Sequence, residues 1–298
     1  MQAVDGHLYF ASMDETGEEP DGSKLPIWGG HLWRLAPDGV GWEHLARTPE
    51  ALIAVASGGR FVYALGYFDH VLYQFDTRSK RLESMRVGSV GGHISRNFFA
   101  DDRGHVYVPR LTGGGRGTQA RVDVTLVELG PDLKEVHSQP LPEYLERAPD
   151  DSHGIVAVHP DGAGGWYFAT GKGRLFHLEP RPSAPAVLVD LGWYHPEGPR
   201  YVASMFRDGR SGRLYGVAEV PRSGARRYEW VSREPGGKAT ITPLPYGKAA
   251  QFPHPCLLHG SMTRDAAGRF YVVGTMNYKP VVLQITPAAP DSVRGKRP

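Results

Sequence analysis

Gly268-Arg-Phe-Tyr271-Val reads as a turn that runs straight into alternating β-forming side chains, and it is one of six related copies. The others are Asp5-Gly-His-Leu-Tyr9-Phe, Gly59-Arg-Phe-Val62-Tyr, Gly104-His-Val-Tyr107-Val, Gly165-Trp-Tyr167-Phe and Gly212-Arg-Leu-Tyr215-Gly. Positions 9, 62, 107, 167, 215 and 271 are separated by 53, 45, 60, 48 and 56 residues. A recurrence near 50 residues is the signature of an array of supersecondary units.

Each copy is followed by a second alternating run, such as Val71-Leu-Tyr-Gln-Phe75, Thr125-Leu-Val-Glu-Leu129 or Val281-Val-Leu-Gln-Ile285. Most are preceded by an apolar run: residues 52–56, 93–100, 154–159 and 201–206. A unit therefore reads as a four-stranded antiparallel meander, A–B–C–D, with period-2 patterning and Asp/Gly/Pro turns. The whole is an all-β chain, a β-propeller of four-stranded antiparallel blades with six units visible. Approximate units are 1–48, 49–90, 91–146, 147–193, 194–250 and 251–290, in one domain, with a basic tail at 291–298. The first unit has almost no strand A, only residues 1–4, and the last lacks a strand D. Six units are visible; a seven-bladed ring follows if the sequence is a fragment.

Composition agrees. The 38 glycines and 25 prolines among 298 residues disfavour a helical bundle. A net charge of +2 with no Lys/Arg block argues against nucleic acid as a partner. No apolar run reaches the ~20 residues of a membrane-spanning helix, so no membrane partner is expected. No leader is visible, so the chain as given reads as cytoplasmic, or as secreted if a leader was removed. The single Cys256 excludes an internal disulfide and cysteine-rich metal modules, and reads as a small buried apolar side chain.

The 13 histidines carry the functional reading. His93, His153, Arg200 and His259 stand eight, eight, eight and six residues before Asp101, Asp161, Asp208 and Asp265, the residues that open the A–B turns. Offsets of equal parity place their side chains on one side of straight strands. His195 falls in a D–A loop, and His70 in the B–C turn of the second unit, both on the face where the D–A and B–C connections open. Arg96, Asn97, Tyr67, Trp193 and Tyr194 accompany them. Glycines beside several of these histidines suit tight turns or close ligand approach. The expectation is a ring of imidazoles around the mouth of a central channel; the alternative is that each histidine merely hydrogen-bonds within its own blade. The insertion at 14–29 suits a lid or a rim to that pocket, while the Gly113–Gly117 run lacks the context of a phosphate loop.

Three chemistries fit imidazoles with a guanidinium. In β-elimination from a uronate-containing saccharide, His93, His153 or His195 is the base and Tyr67 or Tyr194 the acid. Arg200, His70, Arg96, Asn97 and Trp193 then bind the substrate, with Trp28, Trp33 and Trp193 available to stack on sugars. A divalent cation (Mn, Zn or Ca) on His153 and His259 would serve a metal-dependent hydrolase or lactonase. The third use is a non-catalytic platform for a small molecule, oligosaccharide or protein. The repeat and the histidines on one face resemble those of propeller-type lyases, the oligogalacturonate, ulvan and virginiamycin B lyases among them. That resemblance implies a seven-bladed propeller, His or Tyr acid/base groups and, in some members, a His-bound divalent cation.

Overall fold

The computed structural model describes residues 1–16, 27–67, 69–114, 121–220, 227–234, 237–244, 257–276 and 279–287. The insertion's residues 17–26, the Gly-rich run from 115, Cys256 and the tail lie outside these, as do the side chains of Trp28 and His259. The described chain forms 22 strands in six antiparallel sheets that follow sequence order. Sheet 1 holds β1 (Leu8–Thr16), β2 (Ile27–Leu35) and β3 (Trp42–Thr48). Sheet 2 holds β4 (Leu52–Gly58), β5 (Phe61–Gly66), β6 (Val71–Asp76) and β7 (Leu82–Arg86). Sheet 3 holds β8 (Phe99–Ala100), β9 (Val106–Gly114), β10 (Arg121–Leu129) and β11 (Glu135–Pro140). Sheet 4 holds β12 (Ile155–Pro160), β13 (Trp166–Thr170), β14 (Arg174–Arg181) and β15 (Ala184–Trp193). Sheet 5 holds β16 (Val202–Arg207), β17 (Leu214–Val220), β18 (Arg227–Arg233) and β19 (Ala239–Pro243). Sheet 6 holds β20 (Leu257–Arg264), β21 (Phe270–Met276) and β22 (Lys279–Ile285). Each is an up-and-down meander packed on the next, the architecture of a β-propeller. No helix is long and apolar enough to cross a membrane.

In three of the six copies the Asp of the A–B turn holds the Tyr of the motif. Asp101 accepts the backbone N–H groups of Arg103 and His105, each at 3.0 Å, and its other oxygen accepts the Tyr107 hydroxyl at 2.9 Å. Asp265 does the same with the N–H of Arg269 (2.9 Å) and the hydroxyl of Tyr271 (3.0 Å), and Asp5 with His7 and Tyr9. One carboxylate thus satisfies the turn's amides and the buried end of an aromatic ring.

Five apolar seams join the six sheets. Tyr9 and Leu32 meet Val62 and Phe75 between sheets 1 and 2, and Leu65 and Leu72 meet Val106 and Val127 between 2 and 3. Tyr107 and Leu126 meet Phe168 and Phe176, Tyr167 and Leu175 meet Val202 and Leu214, and Val217 and Trp230 meet Phe270 and Val272. Among the described residues no sixth cluster joins sheet 6 back to sheet 1. Among the described residues both terminal sheets keep exposed apolar side chains on the face away from their seam. On sheet 1, Leu8 and Phe10 flank the buried Tyr9, and Phe10 (54% exposed) meets Trp42 edge-on at 6.3 Å. On sheet 6 the register partners Val273 and Val282 (65% exposed) lie outward. The stub of strand A in the first unit is real but short: Met1 and Tyr9 exchange both backbone hydrogen bonds at 2.7 Å.

Two expectations need correction. The run 93–100 is not a strand A: only Phe99–Ala100 pairs, and Gly88, Gly91 and Gly92 with positive φ give residues 88–92 an irregular path. Equal parity does not survive either. The first strand slips against the second in four sheets, between Leu52/Ala54, Val156/His159, Val202/Ser204 and Leu258/Met262. A single extra residue, as in the first three, reverses which face the following residues occupy, so counting back from the turn does not fix direction there.

These exposed apolar side chains give a direct test. Phe10→Ser and Val282→Thr should each change the free energy of urea unfolding by less than about 0.5 kcal/mol, as at other exposed positions. Leu65→Ala, in a filled seam, should cost about 2–5 kcal/mol.

Candidate functional site

The predicted residues whose side chains are described fall into three neighbouring groups. The first is wholly buried between sheets 2, 3 and 4. His70 and His93 are fully buried with ring centroids 5.9 Å apart. His70 Nδ1 lies 3.1 Å from the Pro109 carbonyl and its Nε2 lies 3.2 Å from the Ser95 amide nitrogen. A carbonyl can only accept and an amide N–H can only donate, so His70 is neutral with its proton on Nδ1. His93 Nδ1 likewise donates to the Pro149 carbonyl at 2.8 Å. Its Nε2 therefore accepts from the Tyr144 hydroxyl at 3.1 Å, and Ser95 Oγ, 2.5 Å from that hydroxyl, donates to it. Burial pushes both imidazoles down to about 4, and pushes the Tyr144 phenol up. Asn97 of the same segment donates to the Ile155 carbonyl of sheet 4 at 2.8 Å, while Arg96 is exposed. These histidines bind across seams, not within a blade, and neither is placed as a base that a solute reaches.

The second group lies at the surface over sheets 3 and 4. His153 is half-buried, and its Nδ1 sits 2.5 Å from Glu146 Oε1, which also accepts the His153 backbone N–H at 3.0 Å. Burial alone would raise the Glu146 carboxyl; the hydrogen bonds from His153 and the nearby backbone hold it below its usual range. Its Oε2 has no hydrogen-bond partner among the described residues. The sequence explains the fit. A Cβ at Gly171 would collide with that carboxylate, and one at Gly154 with the Tyr144 hydroxyl. The Tyr201 ring packs on His153 at 5.0 Å. Next to it, Arg200 donates to its own neighbour Pro199 and lies 3.4 Å from Glu197, with Nε unpartnered among the described residues.

The third group lies between sheets 4 and 5. His195 is fully buried, donating from Nε2 to Glu229 at 2.9 Å and accepting the Glu197 N–H at Nδ1. Tyr194 is wholly buried, its hydroxyl lacking a partner among the described residues, and burial raises it far above the usual phenol range. Trp193 lies under the Arg174 guanidinium at 5.1 Å, and its carbonyl accepts from Arg233. Tyr67 is half-buried in the second sheet's B–C turn. Among the described residues no three His, Cys, Asp or Glu side chains converge as a metal site.

A feature the sequence reading missed borders the second group. A groove of about 510 Å³ runs between the start of β10 and the 140–145 segment, lined by Val122, Asp123, Val124, Leu141, Tyr144 and Lys172 among others. β10 pairs with β9 along all nine residues, but with β11 only from Thr125 onward. The Leu141 N–H donates to the Val124 carbonyl at 2.9 Å, and among the described residues no strand lies beside the outer backbone edge of residues 121–123. Lys172 crosses the groove to Glu143 at 2.7 Å, leaving Asp123 as a lining charge with no ion pair among the described residues. The long β9–β10 hairpin was legible as two alternating runs; its overhang past β11 was not, because register is a tertiary fact.

No family model matches the chain, and no curated protein matches it. Among solved structures, the extracellular domain of a protein described as a hybrid two-component system from B. thetaiotaomicron is 12% identical with a TM-score of 0.49, over 95% of this chain and 37% of that one. TolB from Acinetobacter baumannii is 11% identical with a TM-score of 0.43, over 94% of this chain and 64% of its own. A luciferin-regenerating enzyme is 14% identical with a TM-score of 0.43, over 90% and 80% of the two chains. The chain thus spans well under half of the first and just under two thirds of the second, and likeness at this level bears on none of the residues above.

The buried pair makes a signed prediction. His70 and His93 have folded values near 4 against an ordinary 6.5. The unfolded chain then binds more protons below 6.5, so the stability they confer is complete above that pH and falls as pH drops toward 4. The urea midpoint should decrease steadily from pH 6.5 to 4.5, and the decrease should be much shallower in His70→Gln/His93→Gln.

Proposed function

We propose that this propeller is a non-catalytic binding platform whose ligand is an extended peptide carrying apolar side chains and a cationic one. The observation that carries the reading is the overhang of β10. An unpaired strand edge beside an apolar groove takes a peptide by β-strand addition, in which main-chain hydrogen bonds give affinity and alternate side chains fill pockets. Val122, Val124, Leu141 and Tyr144 supply apolar walls, and Asp123 supplies the charge that favours Lys or Arg on the incoming strand.

A second reading, elimination from a uronate-containing saccharide, draws on Glu146 and His153. A carboxylate that fixes one imidazole nitrogen orients the other as a base, and Lys172, one residue from the Gly171 that backs Glu146, is a cation for a substrate carboxylate. The same pairing recurs where it only braces the fold, however: His105 with Glu128 at 2.7 Å, His177 with Asp161 at 2.8 Å and His195 with Glu229 at 2.9 Å. The binding reading therefore comes first.

Fluorescein-labelled Val-Lys-Val-Lys-Val and Val-Glu-Val-Glu-Val, followed by anisotropy, separate the readings. The cationic peptide should bind in preference, and Asp123→Arg should weaken it at least about tenfold, or 1.4 kcal/mol. Failure of both peptides to bind, together with an ultraviolet-absorbing unsaturated product from uronate polymers that is lost in His153→Gln, would replace binding by elimination.

A further inference from the structure

His31 and His44 lie outside the site above and have an arrangement that no other described histidines share. The close nitrogen contacts of His70, His93, His105, His153, His177 and His195 all meet a carboxylate, a carbonyl, an amide or a hydroxyl. Here His31 Nδ1 lies 2.9 Å from His44 Nε2, imidazole to imidazole, with ring centroids 4.9 Å apart. A bulge brings them together. β2 and β3 pair Leu32 with Ala46 and then Trp33 with His44, skipping Leu45, so His44 is moved onto the face that Trp33 and His31 share. Trp33 lies 4.6 Å from His44 and 5.9 Å from His31, and its indole N–H is fixed by Ser12 Oγ at 3.1 Å. His44 is exposed and His31 half-buried.

We propose that His31 and His44 form a two-imidazole chelate for a borderline divalent transition ion: Ni²⁺, Cu²⁺ or Zn²⁺. Two nitrogens each about 2.0–2.1 Å from one ion, at angles between square and tetrahedral, stand about 2.9–3.3 Å apart. The observed separation is already that of two such ligands. One of the two nitrogens carries the proton of that hydrogen bond; once it has exchanged through solvent to the other nitrogen of the same ring, small rotations that turn both lone pairs toward solvent complete the chelate, with Trp33 packed on both rings. Imidazole suits these ions rather than Ca²⁺ or Mg²⁺, and water or an outside donor takes the remaining positions. The proposal is independent of the groove.

The test is titration of the full chain with Ni²⁺ in a non-coordinating buffer, read by calorimetry and by tryptophan fluorescence. One equivalent should bind with saturable quenching. His31→Gln and His44→Gln should each weaken it at least about tenfold with an unchanged circular dichroism spectrum. Trp33→Phe should keep the stoichiometry and remove most of the quenching. Unchanged binding in His31→Gln/His44→Gln, or no saturable binding by the wild-type chain, would overturn the assignment.

Discussion

An antiparallel meander of four short strands has two apolar faces and no means of covering either alone. That constraint organises this molecule. Each sheet finds cover only in its neighbours, so five seams of aromatic and aliphatic side chains carry the fold. Seams bury backbone as well as side chains, and buried polar groups need partners. Side chains therefore reach across: Tyr63 to the Gly104 carbonyl, His70 to that of Pro109, His93 to that of Pro149, Asn97 to that of Ile155, and Glu128 to the Ala186 amide. Much of the polar chemistry that catches the eye in the sequence is mortar of this kind.

The repeat was legible because it is local. Turn chemistry and period-2 alternation lie within ten residues and return six times, and in three of those copies an Asp–Tyr pairing ties turn to strand. Among the described residues the last sheet has three strands, and the near-absence of strand A from the first unit was also legible, since it left a gap in a known pattern. Direction was not. Single-residue bulges in the first strands of sheets 4 and 5 break the parity count for His153 and Arg200, and the segment that holds His93 pairs only at Phe99–Ala100. Burial was not legible either, because Ser95, Tyr144 and Pro149, which enclose His93, are distant along the chain or unremarkable in type. Glu146, the partner of His153, is seven residues away and carries no motif.

What stands at the surface is correspondingly modest and specific. The groove beside β10 exists because one hairpin outgrows its outer neighbour, so that among the described residues 121–123 have no β11 partner next to the apolar walls. His153 and Glu146 adjoin it, held by glycines that allow close approach. The His31–His44 pair exists because a single skipped residue turns one imidazole to face another. Both features come from irregularities of register, and both were invisible to a reading built on regular ones.

The account stands on imidazoles that serve the seams as neutral struts. Nitrogen-15 NMR of the histidine rings of the folded chain at pH 5.5 addresses this most directly. The account predicts that His70 and His93 remain neutral, with the proton on Nδ1 and an acceptor-type Nε2. Rings that are half or more protonated at that pH, or that carry the proton on Nε2, would contradict it.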